Sequence, residues 1–222
     1  MRTLRARGWQ TVGLSRRPSE ADEHEECDVA DRRSVEHAAQ RVLERHPSID
    51  LLVNNAGVAP GGSFLKAGPD RIEQVIRTNY LGSVWVTLAF LPGLAPGSHL
   101  VNVVSVAGMV AGGPYSASKH AQLAFSRSLA VELAPRGISV HTVNPGFVET
   151  PGFQLRQRFG PLLGRLVIDP PLVVERLLGA VASDKREIMV PRWYRPAAWV
   201  QALAPGAVAR LRARSRSSSR SG

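Results

Sequence analysis

Cysteine is almost missing from this sequence: Cys27 stands alone among 222 residues, so no disulfide can form within the chain. The opening residues also lack the charged, apolar and small-residue order of a secretory leader, and a reducing, cytoplasmic setting is expected. Charge is missing locally as well. From Thr78 to Ser118 there is no Asp, Glu, Lys or Arg, a run longer than the roughly 18 apolar residues that can cross a bilayer. Pro92, Gly93, Pro96, Gly97, Asn102, Gly112, Gly113 and Pro114 interrupt it, whereas a spanning helix needs unbroken internal hydrogen bonding. The run therefore reads as buried parts of a folded domain.

What is present fits a globular enzyme. Hydrophobic residues make up 44% and charged residues 21% of the chain, with a mean hydropathy of -0.08, far from disordered or fibrous compositions. The length suits one domain, expected over residues 1–204. The formal charge of +10 invites a nucleic-acid partner, yet Arg210, Arg212, Arg214, Arg216 and Arg220 all lie in the last thirteen residues. That segment has no apolar period after Leu211, so residues 205–222 are expected to be a solvated tail and no nucleic-acid partner is assigned.

Along the chain, strand-like and helix-like patterns alternate. Strands are predicted at Gln10–Leu14, Glu25–Val29, Ile49–Val53, Leu100–Ser105, Ile138–Val143 and Glu187–Val190. Helices are predicted at Met1–Arg7, Ser34–His46, Arg71–Leu91, Tyr115–Leu133 and Leu172–Ala182. Six strands alternating with helices imply an α/β fold, a Rossmann-like doubly wound parallel sheet whose ligand crevice lies beyond the carboxyl ends of the strands.

Chemistry concentrates at those ends. Tyr115-Ser116-Ala117-Ser118-Lys119 opens a predicted helix just after Ser105 closes a predicted strand. An offset of four residues puts Tyr115 and Lys119 on one helix face, where an ammonium favours tyrosinate and draws a phenol below its reference pKa of about 10. Alone, such a pair is also simple packing. It is joined in order by LLVNNAG (Leu51–Gly57), Asn79 in TNYLG, Ser105 in VVSVAG, and Pro145-Gly146 with Thr150 in NPGFVET.

This series resembles the short-chain dehydrogenase/reductase family, from about Trp9 to Val190. The resemblance implies that Tyr115 exchanges the proton, Ser105 hydrogen-bonds the substrate oxygen, Lys119 also holds the nicotinamide ribose, and Asn79 supports a proton relay. The chemistry is coherent: a carbonyl accepting hydride develops negative charge on oxygen, which two hydroxyl donors stabilise while one gives its proton. Asn54, Asn55, Ala56 and Gly57 resemble the family's adenosine-side contact, Asp28 and Val29 the adenine contact, and Pro145, Gly146, Val148 and Thr150 the nicotinamide-amide loop. An Asp before a helix also serves as a plain cap. Ser105 and Tyr115 are ten residues apart, a shorter loop than the family pattern, so Gly108, Gly112 and Gly113 are expected to close it through turns open only to glycine.

The cofactor expected is NADP. Where an acid would bind the ribose 2′-hydroxyl of NAD stands Ser15, followed by Arg16 and Arg17, which suit a 2′-phosphate. No metal site is expected. The family's first strand and its T-G-x-x-x-G-x-G turn, which cradles the pyrophosphate, have no counterpart in the 222 residues. The expectation is an incomplete amino-terminal end, with that strand belonging between Gln10–Leu14 and Leu51–Val53.

The loop Pro151–Pro171, with Phe153, Phe159, Leu162, Leu163, Leu166 and Val167, fits two readings equally, a cap over a hydrophobic alcohol or carbonyl substrate and an apolar segment that only seals the domain. The Trp193, Tyr194, Trp199, Val200, Leu203 segment fits packing against the sheet or a second subunit better than a membrane surface. A homo-oligomer, dimer or tetramer, follows from the resemblance. The competing function is that of a catalytically silent binding subunit.

Overall fold

The computed structural model describes residues 1–58, 62–149 and 164–210. Its helices and strands follow the two periodicities seen in the sequence. Helix α1 is Arg2–Arg5, followed by strands β1 (Val12–Ser15) and β2 (Glu23–Glu26) and helix α2 (Arg32–Arg45). Asp31 caps α2 by accepting from the Arg33 N–H at 3.0 Å, which satisfies one of the donors a helix start leaves free. Val35, Ala38, Ala39 and Val42 then form one buried face at helical spacing.

Strand β3 (Leu51–Asn54) precedes the short α3 (Phe64–Ala67) and α4 (Pro69–Ile76). The long helix predicted from Arg71 to Leu91 is instead α4, a π-helical turn at Arg77–Leu81, and α5 (Gly82–Phe90), ending through a 3₁₀ turn at Leu91–Gly93. Strand β4 (His99–Val103) and a 3₁₀ turn at Val106–Met109 lead into α6 (Pro114–Glu132). Strand β5 (Ser139–Pro145), helix α7 (Pro170–Ala182), strand β6 (Glu187–Val190) and helix α8 (Arg195–Leu203) complete the order. Residues 205–210 are helical, so the unstructured tail expected from 205 does not begin there.

Every strand pair is parallel; β3, β4, β5 and β6 are joined in turn by helical crossovers, as parallel neighbours require, whereas β1 and β2 are joined by residues 16–22 without a helix. The architecture is Rossmann-like α/β. The order is β2–β1 in one piece and β3–β4–β5–β6 in another. Among the described residues nothing pairs with the inner edges of β1 and β3, the place to which the sequence assigns a further strand.

Adjacent strand residues feed opposite layers. Leu100 and Val140 join Val35, Val42, Val86, Phe90 and Leu129 under α2, α5 and α6. Val101, Val143 and Val190 join Val173, Leu177 and Leu178 under α7. Between β3, β4, β5 and α6 runs a buried polar chain: the Asn54 amide donates to Asn102 Oδ1 (2.9 Å), the Asn102 amide to Ser126 Oγ (2.9 Å), and Ser126 meets Thr142 Oγ1 (2.7 Å). Each partner is satisfied, so the chain fixes the seating of α6 on the sheet.

Candidate active site

The carboxyl ends of β3, β4 and β5 and the first turns of α6 meet at one place. Ser105 lies just past β4 and is 7% exposed. Its hydroxyl accepts from the Ala107 N–H (3.1 Å) and faces the Pro145 carbonyl (3.4 Å), which anchors the 3₁₀ turn. The short loop from Ser105 to Tyr115 closes by close approach rather than by left-handed turns: Gly108, Gly112 and Gly113 all have ordinary φ. A Cβ on Gly108 would lie 2.7 Å from the Lys119 carbonyl oxygen, and His120 Nδ1 donates to the Gly108 carbonyl at 2.7 Å.

Tyr115, on the first turn of α6, sits with its phenol in reach of Ser105. Burial pushes the phenol above its ordinary value of 10.0, and the Ser105 hydrogen bond draws it partly back. The downward pull expected from Lys119 does not prevail. The Lys119 ammonium stands 6.0 Å from the centre of the Tyr115 ring, but it donates to the Val103 carbonyl (3.0 Å) and to Gln122 Oε1 (2.8 Å). At 4% exposure the amine itself is lowered to about 7 by burial.

Asn79 is fully buried within the π-helical turn. That turn inserts a residue into the helix and redirects a side chain, as such turns often do at functional sites. Its Oδ1 accepts from the Val58 N–H (2.7 Å), and its amide donates to the Val58 carbonyl (3.0 Å) and to Ser118 Oγ (3.0 Å). A Cβ on Gly57 would meet Asn79 Oδ1 at 3.3 Å and Lys119 Nζ at 3.8 Å. Ser105, Tyr115, Lys119, Asn79 and Gly57 are therefore brought together from four segments of the chain.

The residues assigned to a cofactor are placed less uniformly. Asn55, Ala56 and Gly57 are exposed at the end of β3, whereas the Asn54 side chain is committed to the buried chain with Asn102 and to Thr87 Oγ1 (2.9 Å). Arg16 and Arg17 are outside the carboxyl end of β1, and Arg16 Nη1 stands 4.0 Å from Asp28 Oδ2. Asp28 accepts from the Ala30 N–H at 2.9 Å, and Val29 lies against Gly82, whose Cβ would be 2.9 Å from the Val29 carbonyl. Gly146 pairs its N–H with the Val190 carbonyl (2.8 Å), and Val148 bridges to Ile168. Thr150 lies outside the described residues, as do Phe153, Phe159, Leu162 and Leu163. Val167 is 4% exposed in the core, and Leu166 is 38% exposed.

Three contributors were missed by sequence reasoning. Gln122 binds the lysine and donates to Ser83 Oγ at 2.8 Å; its place three residues after Lys119 was the available signal. Ser118 positions Asn79. Tyr194 presses on the Pro-Gly turn, where a Cβ on Gly146 would be 2.2 Å from its ring, and it stacks on Trp193 at 3.8 Å. Nothing local in the sequence announces that contact.

With this geometry in hand, comparison with known proteins decides the family. The family model described as "short chain dehydrogenase" matches residues 10–158. The chain belongs to the short-chain dehydrogenase family. A dehydrogenase/reductase SDR family protein 7-like protein of Anopheles gambiae is 34% identical over 191 residues, covering 80% of this chain and 60% of that protein. A putative ketoacyl reductase of Streptomyces coelicolor is 40% identical over 132 residues, covering 56% of this chain and 51% of that protein. The chain thus spans about half to three fifths of the length of these curated relatives. A short-chain dehydrogenase from Streptomyces avermitilis shares the fold with a TM-score of 0.77 at 24% identity, covering 96% of this chain and 91% of that one. A Burkholderia cenocepacia short chain dehydrogenase in complex with NADP gives 0.66 at 26% identity, covering 75% and 74%. No helix among the described residues is long and apolar enough to cross a membrane.

Proposed function

We propose that this short-chain dehydrogenase interconverts a hydrophobic alcohol and its ketone or aldehyde using NADP, with Tyr115 as proton donor and acceptor. The observation that carries this reading is the convergence of the Ser105 hydroxyl, the Tyr115 phenol and the buried Lys119 amine at the carboxyl ends of β3 to β5, the position at which open α/β sheets bind ligands.

The residues present fit a nicotinamide dinucleotide at its two ends. Arg16 and Arg17 offer positive charge for a ribose 2′-phosphate, and no acid stands beside them at Ser15. Exposed Asn55, Ala56 and Gly57 leave the backbone open to close approach. Lys119 offers a donor for the nicotinamide ribose, and the Pro145-Gly146 turn reaches the same end. For the pyrophosphate the 222 residues contain no glycine-rich turn. The Burkholderia relative holding NADP supports the phosphate preference. When bound, the cofactor supplies a hydride.

The chain's own groups supply the rest. Ser105 and Tyr115 are two hydroxyl donors held side by side, suited to a carbonyl oxygen that gains negative charge. The raised phenol is a proton carrier that keeps its proton until such an oxygen takes it. Asn79, locked to Val58 and Ser118, and Gln122, locked to Ser83, keep the lysine and the loop after β3 in place. The Streptomyces relative's name, ketoacyl reductase, supports a carbonyl substrate, and Leu166 supports an apolar one. A cytoplasmic homo-oligomer completes this reading; the exposed apolar groove lined by Ile72, Ile76, Leu81 and Trp85 is a surface suited to self-association.

A second reading, a silent binding subunit, is favoured by one observation: the sheet divides between β1 and β3 where the dinucleotide's centre would rest. Titration with NADPH, followed by ketone-dependent loss of reduced-nicotinamide absorbance, separates the two. Binding with turnover supports the oxidoreductase, and absence of both supports the subunit.

A further inference from the structure

At the opposite end of the sheet from Ser105 and Tyr115, two imidazoles and a carboxylate converge. His99 opens β4 and His141 lies early in β5, two residues beyond the register partner of His99, so both project from the face that α7 covers. His99 Nδ1 and His141 Nε2 are 2.9 Å apart. Asp184, in the turn between α7 and β6, brings a carboxylate oxygen so that one potential ligand atom from each of the three residues lies within 4.8 Å of the others. Its φ of 45° is an uncommon conformation for a residue other than glycine, and it belongs to the turn that sets the carboxylate beside the rings.

We propose that His99 Nδ1, His141 Nε2 and the Asp184 carboxylate form a binding site for one divalent transition-metal ion, Zn²⁺ by their ligand chemistry, with water as the fourth ligand. Two imidazoles and a carboxylate are an established donor set for that ion. The orienting contact is already in place. His141 Nδ1 donates to the Lys185 carbonyl at 3.0 Å, which leaves Nε2 as the lone-pair nitrogen and is the outer hydrogen bond that holds ligating histidines.

Without metal, that lone pair accepts the His99 Nδ1 proton. On binding, His99 shifts this proton to its own Nε2, so both facing nitrogens become donors to the ion and no net proton is released. Tetrahedral coordination at Zn–N of about 2.0–2.1 Å separates two nitrogens by about 3.3 Å, so from 2.9 Å the nitrogens part by a few tenths of an ångström while each ring, now nearly head-on to the other, turns by roughly 35° to aim at the ion. His141 is fully buried, His99 half-buried and Asp184 exposed, which leaves the carboxylate side open for the ion to enter.

The ion would tie the starts of β4 and β5 to the turn before β6. At about 3.3 Å per residue, His99 stands roughly 20 Å along β4 from Ser105, so the site is structural and its occupancy leaves proton transfer untouched. Lys185 and Arg186 flank it with positive charge, which limits affinity without supplying ligands.

The test is calorimetric titration of the untagged, metal-stripped chain with ZnCl₂, together with thermal melts and the visible spectrum of the Co²⁺ form. The expected result is one equivalent bound, the intense visible bands of tetrahedral Co²⁺, and a Tm raised by roughly 5–10 °C when free Zn²⁺ is about 100 times Kd. Asp184→Asn, which keeps a residue tolerant of positive φ, and His99→Gln at a half-buried position should each weaken binding at least tenfold and remove the bands. Their Tm without metal should stay near that of the parent, showing that they fold. No binding by the parent, or binding that survives both substitutions, overturns the proposal.

Discussion

Replacing Lys119 by Met should flatten the rise of stability with pH that the parent protein shows just above neutrality. Burial brings the folded amine to about 7 from an ordinary 10.5, so between these values the unfolded chain holds a proton that the folded one has released. Stability then rises with pH by about 1.4 kcal/mol per unit. Below pH 7 both states are protonated and the slope vanishes. Other groups set the window. His141, lowered by burial, contributes only below its ordinary 6.5. Cys27, raised from 9.0, and Tyr115 and Tyr194, raised from 10.0, take stability away only above those values. From pH 7.5 to 9 the lysine acts nearly alone, for a gain of about 2 kcal/mol. Urea unfolding followed by circular dichroism at several pH values measures it, with the slope as readout because the substitution also removes hydrogen bonds to Val103 and Gln122. Parallel pH profiles for parent and Lys119→Met would refute the reasoning.

Gly108→Ala should cost both stability and turnover, because the new methyl meets the Lys119 backbone at 2.7 Å and pushes the Ser105 turn off α6. Overpacking of this kind costs about 1–3 kcal/mol in urea melts, and an unchanged midpoint would count against the tight loop. Reversing Arg16 and Arg17 to Glu should weaken NADPH roughly tenfold or more while leaving NADH unchanged or tighter; equal losses for both cofactors in fluorescence titration would remove the arginines from the 2′-phosphate.

Much of the fold was legible because the core elements carry clear periods. Ile49–Val53 is apolar apart from Asp50, Ile138–Val143 alternates Ile138 and Val140 with Ser139 and His141, and both overlap strands of the four-stranded piece. The strand read at Glu25–Val29 is Glu23–Glu26. At an edge, glutamates carry no apolar period, and pairing with β1 sets the register. The helix α8 was hidden by Pro196, which occupies its first turn, where proline is tolerated. At the candidate site, residue identity singled out Tyr115, Lys119 and Ser105, but not where their hydrogen bonds go. Asn54 turns into the core because Asn102 and Thr87 face it across neighbouring elements, and Tyr194 reaches Gly146 from nearly fifty residues away. The direction of the Tyr115 shift was likewise out of reach, since burial decides it and burial belongs to the folded chain.

The central claim is that Tyr115 carries the proton, and substitution by Phe tests it most directly because only one oxygen is removed. Ketone-dependent NADPH oxidation should fall roughly 10²–10⁴-fold, with circular dichroism and NADPH affinity unchanged. A Tyr115→Phe protein that turns over at the parent's rate would contradict the account.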